Sequence, residues 1–243
     1  QNRHDWETAH SYMKTVLDQT EDTESEIYGT LLKRAIVLAA GSGHYKKAFE
    51  WSEVAIARDN EDPLPRIFLA VKAFKDKRYE DATAHIEAMP GGTIPGFIMP
   101  ILESWAAASQ GQKKIEELQR NNMHFYHAIL ISRYLGEDHE TIRDLIARAV
   151  AMNPQKTLHI ERLGDMLADI GDFEQAERIY SKILDAVPNH SRISDKLDKA
   201  RAGEAIHTMS PPATPSAGIA HALYDLALLL FQDHSDESAR ASA

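Results

Sequence analysis

One short pattern recurs at a fixed interval: Tyr45-Lys46-Lys47-Ala48 and Tyr79-Glu80-Asp81-Ala82 begin 34 residues apart. Phe173-Glu174-Gln175-Ala176 and Trp6-Glu7-Thr8-Ala9 repeat the same order of an aromatic, two spacers and an alanine. Stripes at helical spacing stand before three of them. These are Leu32, Ala35, Ile36 and Ala39; then Leu69, Ala70 and Ala73; then Ile160, Leu163, Gly164 and Leu167. A pair of helices this short cannot bury its apolar stripe alone, so each pair must lie against the next. No other feature restricts the fold as strongly.

Between breaks the text is rich in helix formers, and apolar residues recur at three and four. Two stretches interrupt it, Pro90–Gly96 and the Pro-rich Ser210–Ser216, where proline fixes φ and removes a donor. No alternating Val/Ile/Thr segment suggests a strand, so the chain is expected to be all-α. A composition of 43% hydrophobic and 26% charged residues rules out wholesale disorder. The chain has no cysteine, which excludes disulfides, thiolate nucleophiles and Cys-ligated metal. The longest apolar run, near Leu223–Phe231, is interrupted by Tyr224 and Asp225 and is too short for a membrane span. A formal charge of −10 is the wrong sign for holding nucleic acid by its backbone.

The unit at 157–190, with Leu163, Gly164, Leu167, Ala176, Tyr180 and Pro188, resembles the tetratricopeptide repeat (TPR), two antiparallel helices with a W-x2-L-G-x2-Y…A-x3-F…P pattern. Units at 29–62 and 63–96 match most signature positions. Units at 97–121 and 122–156 are degenerate, the first pairing Ile98–Gln110 with a short Gln112–Gln119 helix. Partial units fall at 1–28 and 216–243, an irregular Pro-rich insertion at 203–216, and the helix Ser191–Ala202 lacks an obvious partner. The resemblance implies one right-handed superhelical solenoid of antiparallel helix pairs over 1–243. Both ends look cut in mid-unit, as in a fragment of a longer bacterial protein. A soluble protein of the cytoplasm or periplasm is expected.

Candidate chemistry is sparse. His124 and His127 are three apart on one helix, near Glu137-Asp138-His139-Glu140, but no HExxH motif or convergent third ligand completes a metal site. Gly41-Ser42-Gly43 lacks the strand and Lys-Ser/Thr of a phosphate loop, and G-x-S-x-G is absent. Catalytic, cofactor and metal residues are therefore not assigned, and the chain is not expected to be an enzyme. Basic clusters at Lys46-Lys47, at Lys72, Lys75, Lys77 and Arg78, and at Lys113-Lys114 fall near turns, where solvated charge is ordinary.

By the resemblance, the first helix of each pair lines a concave groove that takes a partner protein or peptide. The lining so implied comprises Lys33 and Val37; Ile67, Val71 and Phe74; Tyr126, Leu130 and Arg133; Glu161 and Asp165; and Tyr224, Leu228 and Phe231. The degenerate unit adds Ile101, Trp105 and Ala108. Repeats that clamp a C-terminal carboxylate line the groove with lysines, an arginine and asparagines; this lining has no asparagine. An apolar partner segment of some basic character fits it better. Self-assembly through end units carrying Trp6 and Leu223, or service as the regulatory part of a larger enzyme, are the competing readings.

Overall fold

The computed structural model describes residues 3–59, 61–152, 154, 156–206 and 211–227 of the 243. Their regular structure is all helical, with no strand among them. The chain divides between Met99 and Pro100 into two compact units.

Unit 1 contains α1 (Arg3–Gln19), α2 (Glu26–Gly41), α3 (Tyr45–Arg58), α4 (Pro63–Lys75) and α5 (Tyr79–Glu87), each packed on the next, with α2 also touching α4. Side chains set the helix starts. Ser25 caps α2 by accepting from Tyr28 N–H at 3.2 Å, and Asp62 caps α4 from Leu64 N–H at 2.9 Å ahead of Pro63. Leu17, Leu32, Ala35, Ile36 and Ala55 form a core against Trp51 and Phe68. Ala48 and Ala82 are fully buried, as the repeat requires. A Cβ on Gly41 would stand 2.6 Å from the Trp6 ring, so Trp6 lies flat against the end of α2 instead of forming a bare end.

Helix α5 ends before the Pro90–Gly96 break and helix α6 (Thr93–Ser109) begins inside it, so no helix passes through the break. Pro95 falls in the first turn of α6, where a missing N–H costs no helical hydrogen bond.

Unit 2 continues with a 3-10 turn at Glu116–Leu118, then α7 (Asn122–Tyr134), α8 (His139–Ala151), α9 (Thr157–Asp169), α10 (Phe173–Ala186) and α11 (Ser191–Ala202). A last helical stretch covers 215–227, designated α12. The 3-10 turn replaces the helix expected over Gln112–Gln119; fully buried Leu118 anchors it. Successive helices α7 to α11 pack in order, and α7 also touches α9. Asn121 and Asp138 cap α7 and α8, Asp138 accepting from Thr141 N–H at 2.8 Å. At Gly164 a Cβ would stand 2.8 Å from the Tyr180 ring and 2.9 Å from Ile179, so the α9–α10 approach needs a residue without a side chain.

The first to second helix turn of each pair takes a left-handed residue: Gly43 (φ 84°), Gly136 (φ 77°) and Gly171 (φ 79°). The equivalent turn after α4 has Lys77 instead, at φ 58°. A side chain in that region costs roughly 1–2 kcal/mol, while glycine loses somewhat more chain entropy on folding. Lys77→Gly is therefore expected to raise unfolding free energy by about 1 kcal/mol. The check is the urea midpoint at unchanged slope; an unchanged or lowered midpoint contradicts it.

Candidate functional site

The sequence-implied lining separates by unit. In unit 1, Ile67 and Phe74 belong to the core, at 6% and 1% exposure, and Val71 is half-buried. Val37 stays at the surface, and Lys33 pairs with Asp62 at 3.1 Å and Asp59 at 3.7 Å. For Ile67 and Phe74 the reading of an accessible groove is corrected: both pack inside the unit.

In unit 2, six of the implied residues meet around one cavity of about 440 Å³: Tyr126, Leu130, Arg133, Glu161, Asp165 and Tyr224. Leu158, Arg162, Met166, Asp169, Arg192, Lys196 and Pro211 complete the lining. Leu228 and Phe231 lie outside the described residues, as does the stretch around Ala239. Ile101, Trp105 and Ala108 are buried.

Helix α9 organises the wall. Glu161, Asp165 and Asp169 recur every fourth residue, so they share a face two turns long. Each meets a cation from another helix. Arg192 and Lys196, one turn apart on α11, reach Glu161 at 2.7 and 2.6 Å. Lys196 also bonds both oxygens of Asp165 at 2.7 and 2.8 Å, and Tyr180 Oη donates to Asp165 at 2.8 Å. Arg133 on α7 reaches Asp169 at 2.5 Å. These bonds supply the role that sequence could not find for Ser191–Ala202: α11 packs on α10 and neutralises the acids of α9. Burial pushes the Asp165 carboxyl above its usual range despite Lys196 and Tyr180.

Behind this wall is a cluster that sequence did not assemble. Asp225 on α12 is 1% exposed and accepts two bonds from Arg162, at 2.7 and 3.0 Å. The guanidinium stacks over the Tyr126 ring, 4.4 Å from its centroid. Trp105 Nε1 donates to His127 Nδ1 at 3.3 Å, which leaves the ring proton on Nε2, 3.5 Å from Asp225 Oδ2. Burial holds His127 below its ordinary value against the pull of Asp225, so it is neutral. For Asp225, burial pushes upward, but His127 and Arg162 outweigh it and keep the carboxyl below its usual range. A Cβ on Gly218 would come within 2.2 Å of the Trp105 ring, so α12 lies directly on that indole.

In the segment from 216 onward, expected as a partial unit, the described helix contacts Trp105 of α6, His127 of α7 and Arg162 of α9. One signal pointed there. Asp225 interrupts an apolar run, and it falls on the same helical face as Gly218 and Ala222, all three buried.

Among the described residues, no group of three His, Cys, Asp or Glu is arranged to hold a metal ion. No helix of the described residues is long and apolar enough to cross a membrane. Members of each basic cluster pair with acids: Lys47 with Glu50 at 2.7 Å, Lys72 with Glu53 at 2.9 Å, Lys113 with Glu137 at 2.8 Å and Lys114 with Glu103 at 3.0 Å. Compared with known proteins, the chain matches no family model, and no curated protein is significantly similar to it.

The histidines give the site a pH dependence. Burial lowers His127, His159 and His221 below the unfolded value of about 6.5. As pH falls below that value the unfolded chain takes up protons that the folded chain refuses, so stability present above about pH 6.5 is progressively lost below it. The lowered Asp225 acts in a separate window, below about pH 4. His127→Gln, which keeps an acceptor for Trp105, is expected to flatten the fall in unfolding free energy between about pH 7.5 and about pH 5.5. Urea titrations at the two pH values measure this; equal slopes in both proteins contradict it.

Proposed function

We propose that the chain is a non-catalytic protein–protein interaction scaffold built from TPR-like helix pairs in a right-handed superhelical solenoid. First-helix faces take a segment of a partner protein, and the unit 2 cavity is the principal site. The 34-residue recurrence supports the repeat reading, as do the left-handed residues at equivalent turns and the contacts of α2 with α4 and of α7 with α9.

One observation carries the functional reading. The face made by α6, α7 and α9 already has a helix lying on it, α12, held by apolar contact and a buried ion pair. A surface with an aromatic and aliphatic floor, whose charges are paired with one another, suits holding a helix. Arg133, Asp165 and Tyr224 are the residues assigned to direct partner contact, while buried Tyr126, Leu130 and Glu161 form the floor that supports them.

Tyr224 is 59% exposed on the cavity rim, which makes it the position for a photo-crosslinking side chain in living cells. A discrete protein adduct is expected from this position, falling about tenfold with Arg133→Glu, as loss of a central charged contact implies. The same side chain in place of Tyr12, exposed on α1, serves as control. No adduct, or one formed equally from Tyr12 and indifferent to Arg133, contradicts the reading.

A further inference from the structure

We propose that the face presented by Trp105, His127 and Arg162 is a receptor for an amphipathic helix carrying a glycine and, seven positions later, a carboxylate, and that α12 is its resident, exchangeable ligand. The proposal rests on the scaffold reading above and states the chemistry of the partner. It differs from the basic partner suggested by the lining alone.

Two fixed points define the recognition. The Trp105 indole lies where a Cβ of residue 218 would stand, 2.2–2.4 Å from ring atoms, so only glycine lets a helix lie flat at this point. Seven residues on, Asp225 meets Arg162 through both oxygens. Seven residues is about two helical turns, which puts both points on one face. Ala222, fully buried between them, keeps the approach close.

Arg162 decides the charge of any occupant. Its side chain is 12% exposed and packed on the Tyr126 ring. A desolvated guanidinium left without its carboxylate is costly, so a helix that replaces α12 must bring an acid to the same place. A basic or purely apolar helix fails that condition. After α11 the chain takes Gly203 into the left-handed region, and Pro211 and Pro212 stand in the non-helical stretch just before α12 opens at Pro215, so α12 is tethered to α11 without continuing it. A tethered ligand competes at high effective concentration, so free helices bind only when they match both points or when the tethered copy is weakened.

The test uses the full chain and a fluorescent synthetic peptide of residues 213–227, read by anisotropy, with amide exchange on the same proteins. Asp225→Ala weakens one end of the resident helix, and Gly218→Leu drives the other end off Trp105. In both variants, 215–227 is expected to exchange at least tenfold faster while α7 and α9 keep their protection. The peptide is expected to bind either variant at least tenfold more tightly than the unaltered chain, and a peptide carrying Asp225→Ala to lose that gain.

The proposal is overturned if the peptide ignores variants whose α7 and α9 stay protected, or if it binds equally well without its carboxylate. Loss of protection in α7 and α9 together with 215–227, in both variants, also overturns it by making α12 part of the core. Concentration-dependent dimers of the unaltered chain that trade 215–227 would assign the face to a second copy and overturn the resident-ligand assignment. The probe is the chain's own sequence in vitro, so its failure leaves an adduct at Tyr224 standing as support for the scaffold, and the reverse holds as well.

Discussion

A carboxylate with 1% of its surface in contact with solvent must be matched by charge and hydrogen bonds or expelled. Asp225 is matched: Arg162 takes both oxygens, and neutral His127 turns its Nε2 proton toward the second. Helices α7, α9 and α12 converge on that group, and α6 joins through the Trp105 to His127 hydrogen bond. Tyr224, next to Asp225 on α12, forms part of the rim of the cavity whose other walls come mostly from α7, α9 and α11.

Around this centre unit 2 uses paired charge as a second adhesive. The acids of α9 at four-residue spacing face cations from α7 and α11, so one helix face serves two neighbours. Partly buried pairs such as these add little net stability over apolar packing, but they penalise wrong registers, since a slipped helix leaves charge unpaired. Unit 1 relies on another device. Its close contacts are alanines without exposure, at 35, 39, 48, 73 and 82, which set how near successive helices approach. The charged face of unit 2 has the chemistry for recognition, while the alanine seams of unit 1 have the chemistry for packing.

How much of this could be read from residues alone varied with the range of the contact. Helix identity and the close approach at Gly164 were legible, because both repeat locally with the 34-residue period. The role of Lys77 was hidden by its residue type, although its position matches Gly43 one repeat on. Ile67 and Phe74 were read as groove lining from spacing, but spacing gives a direction around a helix and not what stands opposite. Six unit 2 residues did converge on one cavity. Arg162 and Asp225, 63 residues apart, escaped notice because their pairing depends on the chain turning back after the Pro-rich break. No periodic signal encodes such a return.

The central claim is that residues 215–227 lie on the first-helix face of unit 2. A chain without cysteine accepts two introduced thiols with no background labelling. Spin labels on Leu158→Cys and Tyr224→Cys, residues lining the same cavity, measure the separation by pulsed dipolar spectroscopy. The account requires one narrow, short distance in dilute solution. A long distance, as for a helix carried onward beyond α11, would contradict it.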